Sequence, residues 1–190
     1  MTSFEIIKQY LQLGFTHVIP FGFDHILFIL SIFFLNSNVK SVIIQCSVFT
    51  LAHSLSLGLT AAGYIIPPSN IIEPLIALSI LFTSIENIVH NKINSWRIVI
   101  IFLFGLIHGM GFASALKDIG IQQEHFWGAL ISFNFGVEFG QLTVILAAYF
   151  LIGKWFSNKT WYKERIVYPL SSGIGCVALY WTIARIFLTI

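Results

Sequence analysis

The sequence predicts an all-α, polytopic integral membrane protein, a bundle of about six transmembrane helices that forms one domain over residues 1–190. Of its 190 residues, 57% are hydrophobic and only 9% are charged, whereas roughly a quarter of the residues of a soluble domain are charged. The sequence also contains 19 Phe and 5 Trp. So low a charge content along the whole chain is typical of a protein whose surface faces lipid. At roughly 20 apolar residues per span, the chain has room for six or seven helices.

Six apolar stretches separated by polar breaks are the predicted spans. They cover Phe15–Leu35, Val42–Tyr64, Ile71–Val89, Trp96–Leu116, Phe126–Ile152 and Ile166–Leu188. Each break contains turn residues or charges. Barrel strands are excluded because the stretches are too long and too evenly apolar. An open sheet is excluded because a backbone that faces lipid must satisfy its own hydrogen bonds.

The segment before the first predicted span has a different character. Residues 1–13 combine Glu5, Lys8 and Gln9 with apolar side chains, which predicts an interfacial amphipathic segment on the membrane surface. No signal peptide is predicted, because a basic leader and a small-residue cleavage site are missing.

Lys and Arg indicate the orientation in the membrane. The first, third and fifth breaks carry Lys40, Lys92, Arg97, Lys154, Lys159, Lys163 and Arg165, and the opposite side carries Lys8, Lys117 and Arg185. Short loops rich in Lys and Arg stay in the cytoplasm. We therefore expect a protein of the cell (inner, or cytoplasmic) membrane with both termini outside. The net charge of +2 gives no argument for a nucleic-acid partner.

Ionisable residues occur at membrane depth in five of the six predicted spans, although each costs at least ~2.5–3.5 kcal/mol there. The main ones are His17, Asp24, His25, His53, Glu86, His108 and Glu138. Counted from the outer end of each span at about 1.5 Å per residue, most of them lie roughly 13–18 Å below one surface. Helical spacing places Asn134, Glu138 and Gln141 on one face of the fifth span, and Thr83, Glu86 and Asn87 on one face of the third. By contrast, His90 and His125 sit at loop borders and are expected to meet water.

Imidazole and carboxylate at a common depth predict a metal site. These groups are ligands of Zn²⁺, Ni²⁺ and related ions, and a divalent ion offsets the burial of carboxylates. The predicted ligands are His25, His53, His108 and Asp24, with Glu138, Glu86 and His17 lining the approach. A buried histidine can instead be a simple hydrogen-bonded helix contact, but the agreement in depth across four helices favours the metal. The pairs Gly105/Gly109 and Gly136/Gly140 predict close helix packing.

Five motifs give the sequence a family resemblance. They are Gly14-Phe15-Thr16-His17 with Gly22-Phe23-Asp24-His25, then Phe49–Ser54, Ile76–Ser79 with Glu86-Asn87, Phe104–Ala113 and Phe133–Gln141. Together they resemble the hydrogenase/urease accessory membrane proteins, the HupE/UreJ family. The resemblance implies a small polytopic protein that moves nickel or a similar divalent ion for metalloenzyme maturation. The family's first-helix histidine and Asp-His pair correspond to His17, Asp24 and His25.

Three functions remain open. A divalent-metal permease, of nickel type, would bind the ion at the histidines and release it past Glu86 or Glu138. An intramembrane metalloenzyme of zinc type would use Glu138 or Glu86 as the general base in hydrolysis or acyl chemistry on a lipid or membrane-tethered substrate. A structural subunit without metal would leave the buried ionisable groups without a purpose. The resemblance places transport first. The expected partners are the metal ion, nickel or zinc, and the lipid bilayer, and assembly as a homo-oligomer is left open.

Overall fold

The computed structural model describes residues 3–90, 96–119 and 125–187, and no strand occurs among them. Lys92 and Leu188 lie outside these residues, as does the side chain of Lys117. The helices are α1 Ser3–Val18, α2 Phe23–Leu35, α3 Val39–Ala61, α4 Ser69–Val89, α5 Arg97–Ile119, α6 Phe126–Ala148, α7 Lys154–Phe156 and α8 Tyr168–Phe187. A π-helical turn, Tyr149–Gly153, joins α6 to α7, and another, Lys163–Val167, precedes α8.

The all-α, polytopic membrane class is confirmed. Within the described ranges, four helical stretches are long and apolar enough to cross a membrane, namely α3, α4, Phe126–Phe156 and Lys163–Phe187. The pair α1 and α2 counts as a fifth if the two helices form one broken span. Arg97–Phe112 of α5 is a shorter apolar helix. The structure therefore supports four or five spans, and the predicted count of six is not confirmed.

The first predicted span, Phe15–Leu35, differs from the structure in two respects. The helix that contains Phe15 begins at Ser3, so the amphipathic segment and the start of the span are one helix, α1. The chain then bends by 65° between α1 and α2. Pro20 contributes to this break, because a proline has no backbone N–H with which to continue a helix. The position of residues 1–13 on the membrane surface stays a prediction.

Helix α1 packs closely along α6. A Cβ atom added to Gly14 would collide with the carbonyl oxygen of Phe133, and one added to Gly136 would collide with that of Leu11. One turn further along both helices, Gly140 meets Val18. The contact thus advances in the same direction on both helices, so α1 and α6 run parallel at this crossing. This brings the end of α1, with His17, into the interior of the bundle.

A second close contact joins α3 to α5. Gly105 lies against the backbone of Phe49, and Gly109 lies against the carbonyl oxygen of His53 and the hydroxyl of Ser56. The spacing of four residues puts both glycines on one face of α5. The close packing predicted from Gly105/Gly109 and Gly136/Gly140 is confirmed. It also fixes His53 and His108 on facing helices.

Candidate metal centre

Four histidines from four helices meet in the interior of the bundle. His17 is in the last turn of α1 and His25 is in the first turn of α2, so the break between these helices lies between them in sequence. The bend brings the two rings to a centroid distance of 4.6 Å. His53 comes from α3 and His108 from α5. A straight first span would have placed His17 and His25 two turns apart along one axis.

The tightest group consists of His17, His25 and His53. One ring nitrogen from each can be chosen so that all three lie within 4.8 Å of one another. The rings of His25 and His53 are buried, and that of His17 is partly buried. The ring of His108 adjoins this group, with its centroid 5.4 Å from that of His25. We call these four residues the histidine cluster.

The cluster contains buried nitrogens without hydrogen-bond partners. The Nε2 atom of each of the four histidines is in this condition, and so is Nδ1 of His53. Buried polar atoms in native proteins are nearly always bonded, and each exception needs an explanation. Imidazole nitrogens that converge without partners are the donor set of a transition-metal ion. The residues present therefore fit a metal.

Hydrogen bonds to the other ring nitrogen orient two of these imidazoles. The carboxylate of Asp24 lies 3.1 Å from Nδ1 of His25 and also accepts the backbone N–H of His25 at 2.8 Å. Nδ1 of His108 lies 2.9 Å from the carbonyl oxygen of Phe104. An Nδ1–H that donates to oxygen leaves Nε2 with a free lone pair. Such contacts behind a ligand are typical of metal-binding histidines.

His17 and Asp24 stand at different positions relative to the cluster. The sequence predicts Asp24 as a ligand and His17 as a metal-site residue on the approach, and both roles stay predictions. In the structure, His17 belongs to the group of three, whereas Asp24 stands behind His25 and is not a member of that group. A carboxylate that bonds the far nitrogen of a histidine acts on the metal through that histidine.

The two predicted glutamates have other contacts. Glu138 accepts a hydrogen bond from the hydroxyl of Ser47 at 2.6 Å. Glu86 forms a buried ion pair with Arg97, in which Nη1 lies 2.6 Å from Oε2. Neither belongs to the group of three histidines. The enzyme alternative assigns Glu138 or Glu86 as the general base, but in the structure both carboxylates are bonded to other groups.

Sequence reasoning missed the burial of Arg97. It assigned this residue to a basic loop, but the side chain is only 1% exposed. Its Nε atom donates to the side-chain oxygen of Gln45 at 2.8 Å, in addition to the contact with Glu86. One signal could have found it, since an acid inside a span needs a partner. Arg97 is the first Arg after Glu86 in the sequence.

Aromatic rings enclose the histidine cluster. The ring of Phe112 lies 3.9 Å from that of His17, and the ring of Phe49 lies 4.9 Å from that of His108, both between centroids. Phe28 lies 5.4 Å from His108, and Phe133 stacks on Phe112 at 5.0 Å. These apolar walls lower the local dielectric constant, so charges and dipoles in the cluster interact more strongly than in water. Composition alone does not distinguish these phenylalanines from the others.

Comparison with known proteins identifies the family of the chain. The family model described as HupE / UreJ protein matches residues 2–185. The chain belongs to the HupE/UreJ family. This confirms the predicted resemblance. No curated protein and no solved structure matches the chain.

Membership of the HupE/UreJ family assigns a general role. The family is associated with the handling of nickel and similar metals, in accessory or transport functions. In this HupE/UreJ protein, three of the five motifs supply the members of the cluster. The first motif contains His17 and His25, and the segments around His53 and His108 are distant from it in sequence and adjacent to it in space. The fold therefore assembles one site from the motifs that carry the resemblance.

Proposed function

We propose that this HupE/UreJ protein is a permease for a divalent transition-metal ion, nickel or zinc, in the cytoplasmic membrane. The observation that carries the proposal is the meeting of four buried or partly buried imidazole rings whose Nε2 atoms have no hydrogen-bond partner. Neutral imidazole is a ligand of Ni²⁺ and Zn²⁺. The ion is the cargo, and His17, His25, His53 and His108 would hold it during passage.

A row of polar side chains on α6 supports transport. Asn134, Glu138 and Gln141 follow one another at spacings of four and three, which places them on one helix face. Asn134 lies beside His53, within reach of a weak hydrogen bond to its ring. The side-chain oxygen of Asn134 and both amide atoms of Gln141 are buried, and none of them forms a hydrogen bond of normal length and angle. The side-chain oxygen atoms of this row would be successive weak binding sites for a partly dehydrated cation that leaves the cluster along α6.

The second candidate function is an intramembrane metalloenzyme of zinc type. The observation that favours it is the group of three histidines, because catalytic zinc has three protein ligands and one open position. Its substrate would be a lipid or a membrane-tethered group. Such an enzyme needs a general base near the open position. Among the described residues, Glu86 and Glu138 are bonded elsewhere, and we therefore rank transport first.

The first test is elemental analysis by mass spectrometry of the purified protein in detergent. We expect a near-stoichiometric metal after loading with Ni²⁺ or Zn²⁺, and its loss in the double variant His25→Ala, His53→Ala. The matched control is His90→Ala, His125→Ala, which removes two histidines outside the cluster and should retain the metal. Equal metal content in both double variants, or none in the wild type, would contradict the proposed site.

Transport and catalysis are separated by a second measurement. Proteoliposomes with an internal metal indicator should show entry of Ni²⁺ or Zn²⁺ that depends on the wild-type cluster. The variant Gln141→Leu should retain the bound metal in detergent but lower the rate of entry, because it interrupts the row on α6. Tight metal retention without any entry would support the enzyme instead.

A further inference from the structure

We propose that Glu73 and Arg185 form the mouth of the metal site, where Glu73 receives the arriving cation and Arg185 competes with that cation for the carboxylate. This inference rests on the proposed function and deepens it. It assigns a role to two residues outside the cluster. Neither was among the predicted site residues.

The two side chains form a loose contact between α4 and α8. Nη1 of Arg185 donates to the backbone carbonyl oxygen of Glu73 at 2.9 Å and lies 3.5 Å from its Oε2 atom. The side chains are 22% and 41% exposed, respectively. By contrast, the pair of Glu86 and Arg97 is almost fully buried, at a distance of 2.6 Å. Arg185 can therefore exchange its partner far more easily than Arg97 can.

The carboxylate of Glu73 reaches α5 at Gly111, one helical turn from His108. A Cβ atom added to Gly111 would be 4.0 Å from Oε1 of Glu73. Gly111 follows His108 by three residues, which is about one helical turn. The charge of Glu73 also interacts with that of Asp24. Glu73 therefore stands beside the helix that carries His108, and its charge acts on the carboxylate that orients His25.

Exposure falls steadily from this contact towards the cluster. The Glu73 side chain is 41% exposed, that of Asp24 is 25% exposed and that of His25 is 3% exposed. A cation that enters here meets two carboxylates before it reaches buried imidazoles. The order from exposed carboxylate to buried nitrogen suits an ion that loses its water in steps. The exposed end of this gradient is the entrance.

The positive charge of Arg185 opposes the cation. It occupies one oxygen of Glu73, and its field also reaches His108. A divalent ion that approaches Glu73 must therefore displace or repel the guanidinium. Charges at the entrance to a cleft change association rates by a factor of 10–10³ in favourable cases, and salt weakens the effect. The two residues should thus act on the capture rate with opposite signs.

A purely structural role predicts a different outcome. If the pair only holds α8 against α4, removal of either partner breaks the same contact. The variants Glu73→Gln and Arg185→Gln would then change metal capture in the same direction, or not at all. The sign of each single variant is therefore the deciding quantity.

The experiment measures the rate of Ni²⁺ capture by the full chain in detergent, by stopped flow with a Ni²⁺ indicator, and is repeated with Zn²⁺. We expect Glu73→Gln to slow capture about threefold to tenfold and Arg185→Gln to accelerate it by a similar factor. The metal bound at saturation should be unchanged in both. Higher salt should slow the wild type more than Glu73→Gln.

The matched controls are Glu164→Gln and Arg165→Gln. They make the same charge changes elsewhere on the surface, and Arg165 lies over Trp161 as Arg185 lies over Trp181. We expect no change in capture for either. Glu73→Asp and Arg185→Lys keep the charges and should behave nearly as the wild type. If a glutamine variant fails to fold, Glu73→Ala and Arg185→Ala remove the same charges and test the same two signs.

The possible failures are distinguishable. If both glutamine variants change the capture rate in the same direction, or if both match the wild type, the proposed role of Glu73 and Arg185 is wrong. The proposed metal site is not affected by that result. A wild-type protein that captures neither Ni²⁺ nor Zn²⁺ would overturn the proposed function, and this inference with it.

Discussion

The carboxylate of Asp24 accepts both the backbone N–H of His25 and, at 3.1 Å, its ring nitrogen Nδ1. This double contact fixes the ring orientation of His25 and directs Nε2 into the cluster. The sequence predicts Asp24 as a ligand, because an acid adjacent to a histidine inside a span is rare and costly. Spacing gives the face of a helix but not which of two adjacent groups reaches the ion. The start of α2 at Phe23 puts Asp24 in the first turn, where its carboxylate accepts the backbone N–H of His25 and stands behind that ring.

The variant Asp24→Asn should weaken metal affinity without removing a ligand. An amide cannot stabilise the histidine–metal unit as a carboxylate does, and loss of such a contact lowers affinity about 10–100-fold. Competition titration against a chelating indicator measures this change. X-ray absorption at the Ni edge should show the same number of nitrogen ligands in the variant and in the wild type. A lost ligand would instead place Asp24 on the metal.

The buried pair of Glu86 and Arg97 is predicted to contribute to stability. In Glu86→Ala, Arg97 would keep Gln45 but lose its countercharge in a buried position. Removal of one partner of such a pair costs about 3–5 kcal/mol. Thermal unfolding in detergent should show a large fall in the midpoint. The double variant Glu86→Leu, Arg97→Leu should be more stable than the single variant, and equal losses in both would contradict a buried ion pair.

At the scale of elements, the contact between α3 and α5 determines the distance between His53 and His108. Gly109 lies against the carbonyl oxygen of His53 itself. The variant Gly109→Ala should push the two helices apart, at a cost of about 1–3 kcal/mol from overpacking. Metal content should fall together with stability. Both are measured on the same detergent sample, by mass spectrometry and by thermal unfolding.

The control for this variant is Gly173→Ala on α8. A Cβ atom at Gly173 meets nothing within 4 Å. Alanine in a helix interior is favoured over glycine by roughly 0.5–1 kcal/mol. Gly173→Ala should therefore keep its metal and unfold at the same or a slightly higher temperature. Metal loss in this control would mean that the assay reports general damage rather than the contact at His53.

The elements also show what sequence reasoning could reach. Apolar runs located α3 and α4 within a few residues, because a lipid-facing helix is nearly uniform in hydrophobicity. An amphipathic helix was expected before Leu13, but not its continuation to Val18 as one helix, because Glu5 and Lys8 set it apart from the apolar pattern that follows. The burial of Arg97 was missed for a similar reason. A charge near the end of a span looks like a loop residue unless its partner on another helix is known.

At the scale of the whole molecule, the basic residues predict an orientation that can be tested directly. Lys40, Lys154, Lys159 and Arg165 all lie in the breaks between predicted spans that we assign to the cytoplasm. Alkaline phosphatase is active only outside the cytoplasm, so fusions of it at Met1 and at Ile190 should both be active. Fusions of a fluorescent protein that matures only in the cytoplasm should be dark at both ends. The reverse pattern at both ends would invert the orientation. The mouth at Glu73 would then face the cytoplasm and indicate efflux.

The grouping of His25, His53 and His108 was predictable from the sequence, but the full composition of the cluster was not. Counting residues from the span ends brought these three residues to one level, and the ring centroids of His53 and His108 lie 5.7 and 5.4 Å from that of His25. Counting residues could not predict that His17 joins them, because its position depends on the 65° bend of the chain after α1. The break between α1 and α2 therefore brings the fourth histidine into the cluster.

The break between α1 and α2 also bears on how this site can vary among relatives. One residue inserted within α1 would turn its end by about 100° and carry His17 away from its neighbours. One residue inserted between Ile19 and Phe21 would leave the helical phase of both α1 and α2 unchanged. Loops accept such changes more readily than helices do. The interval between His17 and Asp24 is thus a place where evolution can alter chain length while the ligand set survives.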